Sequence, residues 1–136
     1  MKKTPRGIRN CNPGNIRHSG DKWKGMRAEQ TDKAFVQFTS MAYGYRALTK
    51  NMMTHFHKYG ADTIRKLISR HAPSNENNTE AYIDHVCKYL GMKADEKIEF
   101  FDDKLAVALC CIICKVENGV EADRKEVEYG VQLACL

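Results

Sequence analysis

The chain has 136 residues, 43% of them hydrophobic and 29% charged, and a formal net charge of +5 at pH 7. These values are ordinary for a soluble globular protein and predict one domain over residues 1–136, large enough to bury its own core. No apolar run reaches the roughly 18 residues of a membrane-spanning helix, so no membrane span is expected. The modest positive charge suits an anionic partner, whether a cell-wall polymer, nucleic acid or a membrane surface, without choosing among them.

The first part of the chain predicts a loop followed by a small β element. Residues 5–20 are rich in Gly, Asn and Pro and indicate an irregular but structured loop. Residues 21–38 end in a weakly alternating segment, 35–38, which predicts a short β-hairpin.

Helices follow over the rest of the chain, each with a polar N-cap candidate and most with a glycine or proline stop. They are expected from Ser40 to Gly60, from Asp62 to Pro73, from Asn78 or Thr79 to Gly91, from Asp102 or Asp103 to Gly119, and from Asp123 to Leu136. The fold class is therefore predicted to be mainly α, with one small β-hairpin (α+β).

Glu117 closes an almost unbroken apolar run that begins at Leu105, and Gly119 is expected to end the helix. A carboxylate would then sit on the last turn of a buried helix. Burial and the negative end of the helix dipole both disfavour its charged form and should raise its pKa, as a general acid requires. A solvated Glu at a helix end is the alternative.

Six cysteines and five histidines show no metal-ligand spacing. Cys110, Cys111 and Cys114 lie inside the apolar helix, where small core residues are expected rather than ligands. No secretory signal follows the basic start of the chain, so we expect mostly reduced thiols. No metal and no cofactor are predicted.

The predicted N-terminal loop brings three amide side chains together in quick succession, those of Asn10, Asn12 and Asn15. Gly7 and Gly14 would allow tight turns of its backbone. Amide side chains can hydrogen-bond to the hydroxyl and N-acetyl groups of a sugar, or they can hold a turn together. Both roles stay open, so all three are candidate substrate-binding residues.

Three further residues are candidates for contact with a saccharide. Asn77 and Tyr82 belong to a polar, Asn-rich stretch, in which Tyr82 would stack on a sugar ring or hydrogen-bond to it. Helix capping explains the neighbouring Asn78 equally well. Trp23, the only tryptophan, would stack on a sugar, and a core position is its alternative.

Four stretches carry a resemblance to known proteins. They are RGIRNCNPGNI (6–16), GDKWKGM (20–26), FVQFTSMAYGYRAL (35–48) and HAPSNENNTEAYIDHV (71–86). Together they closely resemble a family of small phage and prophage proteins that are described as virion-associated or structural protein P5-like. The resemblance covers nearly the whole chain, and its first stretch, in the form RGIRNxNPGNI, is the most specific.

The part from Asn12 to Leu48 is also similar to the lysozyme superfamily, in particular to its glucosaminidase and lytic transglycosylase branches. In those enzymes an Asn-rich turn precedes a β-hairpin, and the catalytic Glu comes earlier, at the end of a buried helix. Here the matching helix end, Glu117-Asn118-Gly119, comes near the end of the chain. The resemblance implies a lysozyme-like fold with a circularly permuted order of elements, in which this helix end packs beside the Asn-rich turn.

A second carboxylate stands across the cleft in lysozyme-type enzymes that use a nucleophile or base. The hairpin region offers Asp21, Glu29 and Asp32 for this role. We choose Asp32, shortly before the predicted strand at Phe35. A solvated hairpin charge is the alternative for each of the three.

These features predict a peptidoglycan-degrading glycosidase, either a muramidase or a lytic transglycosylase. Glu117 would protonate the glycosidic oxygen, and peptidoglycan glycan strands would be the partner. Without a signal peptide we expect synthesis in the cytoplasm and delivery to the wall by a holin, a virion or a secretion apparatus.

Two alternatives come from other classes of protein. One is a non-catalytic virion structural or wall-binding module. The other is a nucleic-acid-binding protein, which we rank last because neither interleaved aromatic residues nor a DNA-binding motif accompanies the basic residues. The basic residues concerned are Lys2, Lys3, Arg6, Arg9 and Arg17.

Overall fold

The computed structural model describes residues 3–73 and 78–136. Within these ranges, six helices follow one another along the chain: α1 (Arg6–Arg9), α2 (Met41–Tyr59), α3 (Ile64–His71), α4 (Thr79–Leu90), α5 (Asp103–Asn118) and α6 (Arg124–Ala134). The prediction of a mainly α fold is confirmed. In this described part, no helix is long and apolar enough to cross a membrane.

Side-chain caps set most helix ends where the sequence predicts them. Ser40 Oγ accepts the Tyr43 N–H at 3.4 Å, and the Asp102 carboxylate accepts the Leu105 N–H at 2.8 Å. At their other ends, α2, α4 and α5 stop at glycines in the left-handed conformation, namely Gly60, Gly91 and Gly119.

Two helical features differ from the expectation. Helix α3 is capped by Thr63, whose hydroxyl accepts the Lys66 N–H at 3.1 Å, and not by Asp62. The Asp62 carboxylate instead pairs with the Lys66 ammonium group at 3.2 Å. Helix α1 lies inside the stretch expected to be a loop, because its 4 residues are too few to show a periodic pattern.

The predicted β-hairpin does not form as a continuous ladder. In residues 3–73 and 78–136, β pairing consists of two isolated antiparallel bridges, Arg17 with Phe35 and Met26 with Phe38. The segment 35–38 therefore forms one isolated bridge with the stretch before it at Arg17 and another with the stretch at Met26.

Side-chain amides occupy the positions that ladder partners would take. The Gln37 N–H donates to Gln30 Oε1 at 2.7 Å, and Gln30 Nε2 donates back to the Gln37 carbonyl at 2.8 Å. Asn12 Nδ2 donates to the Val36 carbonyl at 2.8 Å. Because these amides satisfy the buried backbone, the region is ordered without strands.

Helix α5 lies at the centre of the fold and packs against α1, α2, α4 and α6. Its buried side chains are those of Ala106, Val107, Leu109, Cys110, Ile112, Ile113, Cys114 and Asn118. All six cysteines are unpaired, and Cys110 and Cys114 are core residues as predicted, whereas Cys111 is only partly buried.

The N-terminal loop lies directly against the first turns of α2. A Cβ at Gly44 would collide with the Cys11 carbonyl oxygen and would lie 2.6 Å from Pro13 Cδ. Only a glycine at this position allows the loop backbone and the helix to approach so closely.

We expect Gly44→Ala to lower the free energy of unfolding by about 2 kcal/mol, because the added methyl group must push the loop away from the helix. Thr54→Ala, on the exposed side of the same helix, is the matched control and should change it by less than about 0.5 kcal/mol. Urea denaturation followed by circular dichroism measures both. Equal stability of the two variants would contradict the close approach.

Candidate active site

Three separate segments converge on the Glu117 carboxylate, on the last turn of α5, whose side chain is 15% exposed. Asn15 Nδ2, from the loop, donates to Oε1 at 3.0 Å, and the Tyr82 hydroxyl, from α4, donates to Oε2 at 2.9 Å. His71 Nε2, at the end of α3, is 3.7 Å from Oε2. That distance is longer than a hydrogen bond but short enough for an electrostatic interaction.

The loop presents Asn15 through an unusual backbone conformation. Its φ is 50°, in the left-handed region that Asn tolerates better than most residues. Asn12 fixes this turn, because its side chain accepts the Ile16 N–H and donates to the Ile16 carbonyl, both at 2.9 Å. Asn118 Nδ2 donates to the Pro13 carbonyl at 2.9 Å and ties the end of α5 to the loop. The predicted packing of this helix end beside the Asn-rich turn is confirmed.

Both glycines of this loop lie where other parts of the chain approach the loop backbone too closely to leave room for a side chain. A Cβ at Gly7 would collide with Asn118 Oδ1, and a Cβ at Gly14 would lie 2.8 Å from Leu48 Cδ1. Neither glycine has a positive φ; in this part of the chain that conformation falls on Cys11 and Asn15.

The pKa of Glu117 lies below its usual value, and the prediction that it is raised was wrong. Burial raises this pKa, as expected, but His71, Asn15 and Tyr82 lower it, and together they prevail. Burial also raises the pKa of Tyr82 well above its usual range. Its hydroxyl therefore stays protonated and acts as the hydrogen-bond donor to Glu117. The site therefore holds a charged carboxylate.

Glu117 borders a cavity of about 520 Å³, a size typical of small-molecule sites. The lining combines amide, aromatic and cationic side chains, among them Asn15, Trp23, Phe35, Arg70 and His71. Glu117 also borders a groove of about 320 Å³ that Tyr82 and His85 help to line. In the described ranges, no group of three or more His, Cys, Asp or Glu side chains is arranged to hold a metal ion.

Comparison with known proteins relates the chain to a phage protein. No family model matches it. Protein P5 of Pseudoalteromonas phage PM2 is 33% identical over 122 residues, which cover 88% of this chain and 74% of that protein. The chain belongs to the phage Protein P5 family. The P5-like resemblance seen in the sequence is thereby confirmed.

In this member of the P5 family, the predicted binding residues separate into two groups. Asn15 and Tyr82 contact Glu117, and Trp23 lines the same cavity as Glu117. Asn77 lies outside the described residues. Asn12 is completely buried, and its amide is used by the loop backbone.

Asn10 is also turned away from the cavity. It is 4% exposed, its Oδ1 accepts from Gln37 Nε2 at 3.0 Å, and its Nδ2 donates to Asp32 at 2.9 Å. In the P5-family chain, Asn10 and Asn12 therefore stabilise the fold. This is the second of the two roles considered in the sequence, that of holding the turn together.

Asp32 does not join Glu117 in the cavity. Arg6 binds both carboxylate oxygens at 2.7 Å, and the Ala34 and Phe35 N–H groups donate to Oδ1 at 2.9 and 3.0 Å. Arg6 above all, helped by these other donors, holds the pKa of Asp32 far below its usual range. A carboxylate so firmly kept charged is a structural anchor of the loop.

The choice of Asp32 as second catalytic carboxylate is therefore not supported by its position. Asp32 lines a different surface pocket, which it shares with Arg6 and Asn10. Asp21, weighed beside it in the sequence, does line the Glu117 cavity, and Ser19 Oγ donates to it at 2.8 Å.

The sequence did not point to His71 or Arg70 as site residues. Both stand on the last turn of α3 and line the cavity. The sequence indicated a site role for them only weakly, because a basic pair at the end of a helix is also expected from its favourable interaction with the helix dipole. Their position just before Pro73, which also lines the cavity, was the available clue.

Asp32→Asn should lower the free energy of unfolding by about 2 kcal/mol at pH 7. Because its pKa is lower in the folded state, Asp32 stabilises the fold above about pH 4 and loses this effect as the pH falls further. The difference from wild type should therefore shrink below pH 4 in denaturation curves. Glu29→Gln, at an exposed position nearby, is the control; a difference independent of pH would contradict the ion pair.

Proposed function

We propose that this P5-family protein is a peptidoglycan-degrading glycosidase, a muramidase or a lytic transglycosylase, with Glu117 as its general acid. The observation that carries the proposal is a mostly buried carboxylate at a helix end, held by Asn15 and Tyr82, at the edge of a cavity of about 520 Å³. Glycoside hydrolysis needs a fixed carboxyl group beside a cleft that can take sugar rings.

The surroundings of Glu117 suit a group that both gives and takes a proton. As a general acid it would protonate the glycosidic oxygen, and as a base it would then deprotonate water or a sugar hydroxyl. A bound sugar would displace water from the carboxylate, and this loss of solvent raises the pKa toward the protonated form. The donors from Asn15 and Tyr82 would hold the carboxylate after it has lost its proton.

We propose further that the fold is lysozyme-like with a circularly permuted order of elements. The contact between the end of α5 and the Asn-rich loop supports this, because it joins in space two features that the chain separates by 102 residues. Delivery to the wall would use a virion, a holin or a secretion apparatus, and the relation to a phage protein fits virion association.

A non-catalytic wall-binding or virion module is the second candidate. The lowered pKa of Glu117 favours it, because a carboxylate with several donors also serves to fasten a helix to a loop. The two candidates differ in whether the carboxylate is needed for cleavage or only for stability.

The test is digestion of purified peptidoglycan, with the fragments read by mass spectrometry. Glu117→Gln should slow cleavage at least about 100-fold, since it keeps the shape but cannot supply a proton. Glu121→Gln, at an exposed carboxylate just beyond α5, should leave the rate unchanged. Hydrated or anhydro-muramyl product ends distinguish hydrolysis from transglycosylation.

Melting temperatures of both variants show whether each is folded. Cleavage that survives Glu117→Gln would move the acid elsewhere. A folded wild type that binds peptidoglycan but does not cut it would favour the binding module.

The pH profile offers a separate check on Glu117. If the acid form is active, kcat/KM falls as the pH rises through its pKa, and the lowered pKa places this fall on the acidic side. Tyr82→Phe removes a donor to the charged form, so it should raise the pKa and shift the fall to higher pH. Tyr89→Phe, at an exposed position on the same helix, should not. A shift to lower pH would contradict the assignment.

A further inference from the structure

Arg70 presents a positive charge to the cavity that Glu117 borders. Its Nε donates to His55 Nδ1 at 3.2 Å, and its guanidinium carbon lies 4.0 Å from the centre of the Tyr59 ring. The hydrogen bond and the stacking together fix the plane of the guanidinium group. Arg70 is thus an oriented cation, although it is exposed.

Within the described part of the chain, no neighbour neutralises the charge of Arg70. Burial, and then the charge of Arg70 itself, lower the pKa of His55 to about 4, so His55 is a neutral acceptor at neutral pH. Among residues 3–73 and 78–136, no carboxylate forms an ion pair with Arg70. By contrast Arg65, on the same helix, pairs with both Glu80 and Asp95.

We propose that Arg70 is a specificity residue that binds a carboxylate of the substrate. The proposal rests on the proposed function, because it concerns the glycan that would occupy the Glu117 cavity. A guanidinium with a fixed plane matches the two oxygens of a carboxylate. Peptidoglycan carries such groups on its stem peptides and, where a stem peptide has been removed, on the lactyl ether of N-acetylmuramic acid. Chitin, a chain of N-acetylglucosamine alone, carries none.

Binding of matched ligands to the full chain tests this inference. The probes are chitotetraose, the peptide-free tetrasaccharide of alternating N-acetylglucosamine and N-acetylmuramic acid, and the same tetrasaccharide with stem peptides. Glu117→Gln serves as the background, so that the ligands survive. Trp23 is the single tryptophan and lines the cavity, so its fluorescence reports occupancy.

In this background, Arg70→Gln should weaken binding of a carboxylate-bearing ligand about tenfold and leave chitotetraose unchanged. Weakening with the peptide-free tetrasaccharide assigns the lactyl carboxylate, and weakening only with the peptide-bearing one assigns the stem. Arg65→Gln removes the same charge from the same helix and should have no such effect.

Equal affinity of all three ligands for both proteins, or an equal loss for all three, would overturn the role of Arg70 while leaving the glycosidase proposal intact. Failure of all three to bind, with wild type also unable to cleave peptidoglycan, would overturn both. Melting temperatures separate a folding defect from a binding defect, because a purely structural Arg70 would change stability without changing ligand preference.

Discussion

The contact between the end of α5 and the N-terminal loop is the constraint on which the site depends. Glu117 and Asn118 stand next to each other on α5, and each makes a hydrogen bond to the loop, at 3.0 Å to Asn15 and 2.9 Å to Pro13. A mostly buried carboxylate needs such donors, because without them its charge would cost several kcal/mol. The loop is therefore as much a part of the site as the helix.

The rigidity of that loop comes from side-chain amides and close packing and not from a sheet. Asn12 is fully buried and bonds to backbone groups of Ile16 and Val36. Gly44 lets the loop lie against α2 at a distance that any Cβ would forbid. A loop held in this way can keep Asn15 in a left-handed conformation aimed at Glu117, a position that a regular strand would not offer.

The two carboxylates of this region show how environment separates their roles. Asp32 and Glu117 both have a lowered pKa, but Asp32 owes this mainly to the permanent cation Arg6. Glu117 is held by neutral donors, Asn15 and Tyr82, with His71 nearby. A proton on Asp32 would break an ion pair with a permanent cation, whereas a proton on Glu117 would change its hydrogen bonds with Asn15 and Tyr82 and its electrostatic interaction with His71. Of the two, Glu117 is the better suited to exchange a proton.

Local signals in the sequence were enough for helices α2 to α6 and for the position of Glu117. Caps such as Ser40 and Asp102 and stops such as Gly119 act within a few residues, so they can be recognised without knowledge of the fold. The P5-family relation was also visible in the loop sequence, and a relative confirms it.

The sequence alone was thus enough for the five longer helices, the family and a carboxylate at the end of a buried helix. Folding brings Asn15, His71 and Tyr82 to this carboxylate, keeps it charged, and places Asp32 at a different pocket. These contacts join residues that lie far apart along the chain. The donors to Glu117 are 35 and 102 residues away, and no local pattern encodes a partner that only folding brings near.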